Sequence, residues 1–231
     1  MWLILFYAYK QIPDKKSRPH WIIWSGLFIC MLGDGLIRWF VIGLTAFLVG
    51  HLFYTAGFSR YWRFTKLSLF MILPIGLYGF VMGYHVIAAL LRNHNDTLVV
   101  PVLMYIVIIS LMSWSGFLSH NIWAIIGSIL FVLSDSILSW NMFVSEIPHS
   151  DILIMTTYYT AQFLIAHACV SFLVLSAILR IKNRRGLLTR LLYFIMELIY
   201  YSFNASIWME MVILSPIRKP NGFIVEVKDK P

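Results

Sequence analysis

Charge is what this sequence has least of. Only 10 of its 231 residues are acidic and 18 are Lys or Arg, so charged side chains make up 12% of the chain, against about 25% in an ordinary soluble domain. With 60% hydrophobic residues and a mean hydropathy of +0.80, a polar surface on all sides is out of reach. That excludes a soluble globular fold. Cysteine is scarce as well. Cys30 and Cys169 both fall inside apolar runs and form no Cys-x-x-Cys pair, which excludes a disulfide framework and a thiolate metal site. Both are read as packing residues. A signal peptide is missing too: residues 1–9 are apolar but lack a charged start and a small-residue cleavage site, and are read as the remainder of a longer helix.

What is present is long apolar runs. A helix needs about 20 residues to cross a hydrocarbon core of ~30 Å, and runs of that kind occur at 21–37, 39–58, 67–91, 98–115, 120–142, 152–179 and 188–214. The expected fold is all-α, a polytopic membrane bundle of about seven spans. The net charge of +8 does not form a nucleic-acid-binding patch, because the cations alternate between loops. Lys10, Lys15, Lys16 and Arg18 precede the first span, Arg60, Arg63 and Lys66 follow the second, and Arg180, Lys182, Arg184, Arg185 and Arg190 follow the sixth. The positive-inside rule places those three loops in the cytosol. Arg38, Arg92, Glu146 and Asp151 then lie toward the opposite face. So does the sequon Asn95-Asp96-Thr97, whose short loop holds it close to the membrane.

Two of the few carboxylates fall inside spans, and they sit in a repeated motif. Gly26, Gly33, Asp34, Gly35 and Trp39 of the first span align with Gly127, Ser134, Asp135, Ser136 and Trp140 of the fifth. In both copies Gly precedes Asp by eight, small residues flank the Asp, and Trp follows five later. An offset of four spans keeps the copies parallel, as in repeats related by an axis along the membrane normal. The second and sixth spans align in two ways. One pairs Gly50, His51 and Tyr54 with Ala161, Gln162 and Ile165; the other pairs His51 with His167. Counted from the cytosolic ends, Asp34 and Asp135 both lie 14 to 15 residues in, ~21 Å at 1.5 Å per residue. Tyr158, Tyr159 and Gln162 reach the same layer from the far side.

An ionisable group within a span costs at least ~2.5 kcal/mol on insertion scales, and a matched pair points to function more than to packing. Asp34 and Asp135 are therefore the expected catalytic residues, with His51, Tyr54, Tyr158, Tyr159 and Gln162 in support. His85 and His167 are read as structural. A zinc site needs three or four ligands of fixed geometry, and no His-x-x-x-His occurs, so no metal and no cofactor is expected. Glu197 and Glu210 of the seventh span are thirteen residues apart and lie on different helix faces. The second sequon, Asn204-Ala205-Ser206, is buried in an apolar run.

Gly33-Asp34 followed by Gly50-His51-x-x-Tyr54, then Pro101-Val102-x-x-Tyr105, then Gly127-x6-Ser134-Asp135-Ser136 and Tyr158-Tyr159-x-Ala161-Gln162-x-Leu164-Ile165 resembles the YhhN-type lysoplasmalogenases. The resemblance covers about residues 1–179, a transmembrane bundle with a shortened N-terminal helix. Residues 180–231, a basic loop, an extra hydrophobic helix and a polar tail, fall outside it. It implies a multi-pass protein of the endoplasmic-reticulum membrane. The implied activity cleaves the vinyl-ether bond of a lysophospholipid substrate within the bilayer to a fatty aldehyde and glycerophosphoethanolamine or glycerophosphocholine. Protonating an alkenyl carbon creates an oxocarbenium-like cation, and glycosidases handle a related cation with two carboxylates. The sequence leaves open which Asp is acid and which is base. The competing expectation is a transporter or a non-catalytic lipid-binding membrane protein, since parallel repeats and deep carboxylates also occur in transporters. Headgroup preference and oligomeric state are not legible.

Overall fold

A computed structural model describes residues 1–10, 12 and 18–182; residues 11, 13–17 and 183–231, including the seventh run and Glu197 and Glu210, lie outside the described residues. The helices are α1 (Trp2–Lys10), α2 (Arg18–Leu36), α3 (Phe40–Ser59), α4 (Lys66–Phe70), α5 (Ile72–Arg92), α6 (Val99–Leu118), α7 (Ile122–Phe143) and α8 (Ser150–Lys182). No strand occurs among the described residues. Five stretches are long and apolar enough to span a membrane: Phe40–Ser59, Lys66–Arg92, Asp96–Leu118, Ile122–Phe143 and Ser150–Cys169. The protein is a multi-pass membrane protein. Helix α2, the first expected span, has 19 residues and falls just outside that group because Arg18, His20 and Asp34 dilute its apolar run.

Short connections make successive helices antiparallel. Pro74 explains why the third span is split. Its ring nitrogen has no hydrogen to donate and its ring crowds the carbonyl four residues back, which belongs to Phe70, where α4 ends. Thr65 and Ser68 close the start of α4 with a capping box, two donors satisfied reciprocally. Pro101 falls in the first turn of α6, where a missing N–H costs nothing. Asn121 caps α7 by accepting from the Trp123 and Ala124 amides, and its Nδ2 donates to the Ala168 carbonyl at 3.3 Å.

Helix pairs meet through backbone. A Cβ added at Gly26 would lie 3.1 Å from the Gly50 carbonyl oxygen and 2.7 Å from the Tyr54 ring. A Cβ at Gly127 would lie 3.2 Å from the Ala161 carbonyl oxygen and 3.0 Å from Ile165. The α2–α3 and α7–α8 crossings are thus the same crossing made twice, with Gly26 matching Gly127, Gly50 matching Ala161 and Tyr54 matching Ile165. This settles the register left open by the sequence: His51 corresponds to Gln162, not to His167. Small residues let membrane helices approach closely where no hydrophobic effect draws them together.

The apolar core encloses a few polar side chains while large apolar ones lie outside. His51, Tyr54 and Gln162 are fully buried, whereas Leu67, Phe70, Leu77, Phe80 and Tyr84 are exposed toward the hydrocarbon. Cys30 and Cys169 are free and buried, as packing residues are. The Gly50→Ala substitution is expected to cost about 1–3 kcal/mol by overpacking, because its Cβ would collide with the Cys30 Sγ. Thermal unfolding in detergent reads this as a lower midpoint that Cys30→Ala restores. An unshifted midpoint for Gly50→Ala would show that the crossing is looser than described.

Candidate functional site

The crossings place their polar residues in one layer. Phe131, one turn before Asp135 on α7, is the hub: the rings of His51, Tyr54 and Tyr158 pack against it at centroid distances of 4.5, 6.4 and 5.3 Å. Gly33 leaves room for the Phe47 ring, and Phe47 meets Tyr158 edge-on at 5.9 Å. Phe47 and Tyr158 occupy matching positions in the two copies and face each other.

Asp135 belongs to a hydrogen-bonded chain. The Tyr105 hydroxyl donates to its Oδ2, and His51 Nε2 lies 3.0 Å from the same hydroxyl and 3.6 Å from Asp135 Oδ2. Since the only proton of Tyr105 goes to the carboxylate, His51 Nε2 must donate to the tyrosine oxygen. In a neutral imidazole Nδ1 is then an acceptor. Tyr105 was not among the site residues expected from sequence. Its signal was there, in the motif Pro101-Val102-x-x-Tyr105, but only the packing of α3 on α6 shows that it bridges the histidine of one copy to the carboxylate of the other.

Asp34 has different surroundings. It lies in the last turn of α2, with the Tyr158 hydroxyl as its polar neighbour, although the two do not form a hydrogen bond of good geometry. The Tyr54 hydroxyl donates to Gln162 Oε1 at 2.6 Å. Four buried polar atoms of this layer have no hydrogen-bond partner: Asp34 Oδ2, His51 Nδ1, Tyr158 Oη and Gln162 Nε2. Groups of that kind in a native interior call for an explanation. Two are acceptors, the amide nitrogen is a donor and the phenol can be either, which together suit a water molecule or an alcohol. Both carboxylates are within electrostatic reach of the buried Cys30 thiol, so the polar residues occupy one neighbourhood. Tyr159 is 36% exposed and packs edge-on against Tyr158 at 5.1 Å.

A cleft of about 400 Å³ opens beside Asp135. It runs between α3, α5, α6 and α7, with Phe40, Leu44 and Phe47, Met71, Pro74 and Met82, Ile109 and Phe117, and Ile129, Val132 and Met142 among its lining. Asp135 is the one carboxylate on its wall, and Asp34 is not on it. Along α7 the lining extends from Ile129 to Phe143, roughly 21 Å at 1.5 Å per residue. Tyr78 closes over it, donating to Ser136 Oγ at 2.8 Å.

The two histidines read as structural make packing and hydrogen-bond contacts. His167 Nδ1 lies 2.7 Å from the Tyr7 hydroxyl and His85 packs on Trp140 at 5.5 Å. Among the described residues no group of three His, Cys, Asp or Glu converges as metal ligands would. The Tyr105→Phe substitution is expected to cost about 1–3 kcal/mol, the penalty for stranding buried polar partners, here His51 Nε2 and Asp135 Oδ2. A melting temperature equal to that of the unaltered protein would show that this chain of bonds carries no stability.

A family model described as the YhhN family matches residues 1–169. Among curated proteins, lysoplasmalogenase TMEM86B of Homo sapiens is 36% identical over 145 residues, covering 61% of this chain and 60% of the human protein. The chain therefore spans less than two thirds of that relative's length. No solved structure matches it.

Proposed function

The chain belongs to the YhhN family, and from that premise we propose that it is an intramembrane hydrolase of the vinyl-ether bond of lysoplasmalogens. The observation that carries the reading is a single carboxyl group, Asp135, set in the wall of a long apolar cleft. An alkyl chain passes from bilayer hydrocarbon into an apolar cleft at little cost, since both surroundings are equally apolar, and a site for an alkenyl ether needs that chain held next to a proton donor.

The two carboxylates take different roles because their surroundings differ. The alkenyl carbon to be protonated is the one that bears the alkyl chain, so the acid must sit where that chain lies. Asp135 lines the cleft and is the acid, held by the Tyr105 hydroxyl on Oδ2, which leaves Oδ1 to deliver the proton. As the new C–H bond forms, a lone pair on the ether oxygen completes an oxocarbenium ion. Water adds to its carbon while Asp34 takes the proton of that water. His51 Nδ1, Tyr158 and Gln162 Nε2, which lack protein partners, orient the water and the adjacent glycerol hydroxyl. The hemiacetal then collapses to the fatty aldehyde and the free glycerol hydroxyl, and the proton held by Asp34 recharges Asp135. Positioned acid and base groups contribute ~10²–10⁴-fold each.

The transporter reading would favour broken helices at matched positions of the two copies. Helices α3, α7 and α8 are continuous past their polar residues, and α2 ends two residues after Asp34 with no matching break in α7, which favours a fixed site.

Aldehyde release from an alkenyl lysophospholipid by the purified protein is expected to fall about a hundredfold or more in Asp34→Asn and in Asp135→Asn. Undiminished release in both variants would overturn the carboxylate mechanism. Absence of release by folded wild type would overturn the enzyme reading, and stabilisation by the lipid without turnover would favour a binding protein. In D₂O the aldehyde, trapped as it forms, is expected to carry one deuterium on the carbon next to the carbonyl. An unlabelled product would exclude protonation of the alkenyl carbon.

A further inference from the structure

The cleft accounts for the alkyl chain and the polar layer for the ether, but the substrate also carries a phosphate. We propose that Arg38, together with the Ser139 hydroxyl, forms a phosphate-binding subsite at the non-cytosolic rim of the cleft and holds the headgroup of a lysophospholipid drawn from that leaflet. The choice of lipid rests on the hydrolase reading above.

Depth requires such a subsite on this side. The carboxylate layer is ~21 Å from the cytosolic helix ends, too far for an ether at Asp135 to belong to a lipid whose phosphate stays at the cytosolic surface. The opposite end of the cleft is formed by Ile37 and Phe40 on one side and Ser139 and Phe143 on the other. The Phe40 and Phe143 rings meet edge to face there at 5.5 Å. Arg38 lies in the turn between Ile37 and Phe40, so it stands at that end.

The repeat gives the spacing. Arg38 and Ser139 occupy matching positions, each four residues past its aspartate, about one helical turn or ~6 Å beyond the carboxylate layer. The glycerol bonds between the ether oxygen and phosphorus span a comparable length. Charge supports the assignment as well. A cation on this face runs against the positive-inside bias. Arg92 has a local reason to be there, since it falls in the last turn of α5, where it complements the helix dipole. Arg38 follows the end of α2, is exposed, and makes no ion pair with a described residue. The planar guanidinium matches two phosphate oxygens at once, and Ser139 supplies a hydroxyl from the opposite wall.

The test compares two substrates that share the alkenyl ether and differ in the phosphate: an alkenyl lysophospholipid and 1-alkenylglycerol. The ratio of their kcat/KM values is expected to fall about tenfold or more in Arg38→Gln, with the loss in KM, and to recover partly in Arg38→Lys. A ratio that does not move, or an equal loss on both substrates, would overturn the subsite. If wild type cleaves neither substrate the hydrolase reading falls, and equilibrium binding then decides the subsite alone. For that, the saturated 1-alkyl lysophospholipid is compared with 1-alkylglycerol, and Arg38→Gln must weaken only the former. Competition by millimolar inorganic phosphate would assign the subsite to a free anion and overturn its assignment to a lipid headgroup.

Discussion

Backbone-to-backbone contact between helices is the constraint from which the polar interior follows. Hydrocarbon gives membrane helices no hydrophobic reason to associate, so packing and interhelical hydrogen bonds must hold them. At Gly26 against the Gly50 carbonyl, and at Gly127 against the Ala161 carbonyl, the chains stand so close that even a Cβ would be crowded. Once these crossings are fixed, the residues that follow have no freedom of depth. His51 and Gln162, each one residue past the crossing, and Asp34 and Asp135, each two turns further along their helices, are fixed in depth, and the Tyr105 bridge joins His51 to Asp135. A looser crossing would let lipid reach buried polar groups, four of whose atoms already lack a protein partner.

A symmetric frame holds asymmetric chemistry because the two copies carry different side chains at matched positions. His51 reaches Tyr105 and through it Asp135; its counterpart Gln162 accepts from Tyr54 instead. Phe131 fills the centre on one side where Cys30 stands on the other, and the smaller thiol lets Tyr54 and Gln162 approach. Helix α2 ends two residues after Asp34, whereas α7 continues two turns past Asp135 and so extends one wall of the cleft. Duplication alone would give two equal carboxylates. These differences leave one in the wall of an apolar cleft and the other among unpartnered polar atoms.

The fold was largely legible in the sequence because length and hydropathy decide membrane spans almost without reference to tertiary structure. Six expected spans match α2, α3, the α4–α5 pair, α6, α7 and α8 to within a few residues, and the seventh lies outside the described residues. The matching positions of Asp34 and Asp135 in the two copies were legible for a related reason, since a repeat preserves spacing. The register of the second helices was not: the His51–His167 pairing preserves spacing equally well, and only the position of a carbonyl opposite Gly127 decides against it. Tyr105 stood in the motif Pro101-Val102-x-x-Tyr105 but was given no role, because it lies on a helix outside the aligned pairs and spacing alone does not show which side chains it meets. The cleft escaped altogether, since a surface lined by Val, Ile, Phe and Met has the same composition as a lipid-facing one.

That ambiguity is resolved by the packing of α5. Pro74 forces the break after Phe70, and the first half of the helix that follows, from Ile72 to Tyr78, has no buried residue. Its second half is drawn against α6 by Gly79 and Gly83, where a Cβ would lie 3.0 Å from Ser110 Oγ and 3.3 Å from Ile106. A helix held close at one half and standing off at the other leaves a wedge of space along its length, and that wedge is the cleft. The Tyr78–Ser136 hydrogen bond ties the detached half to α7 beside Asp135. The same proline and glycines that look like helix breakers in the sequence therefore open an apolar slot against a carboxyl group that close packing of α5 would have sealed.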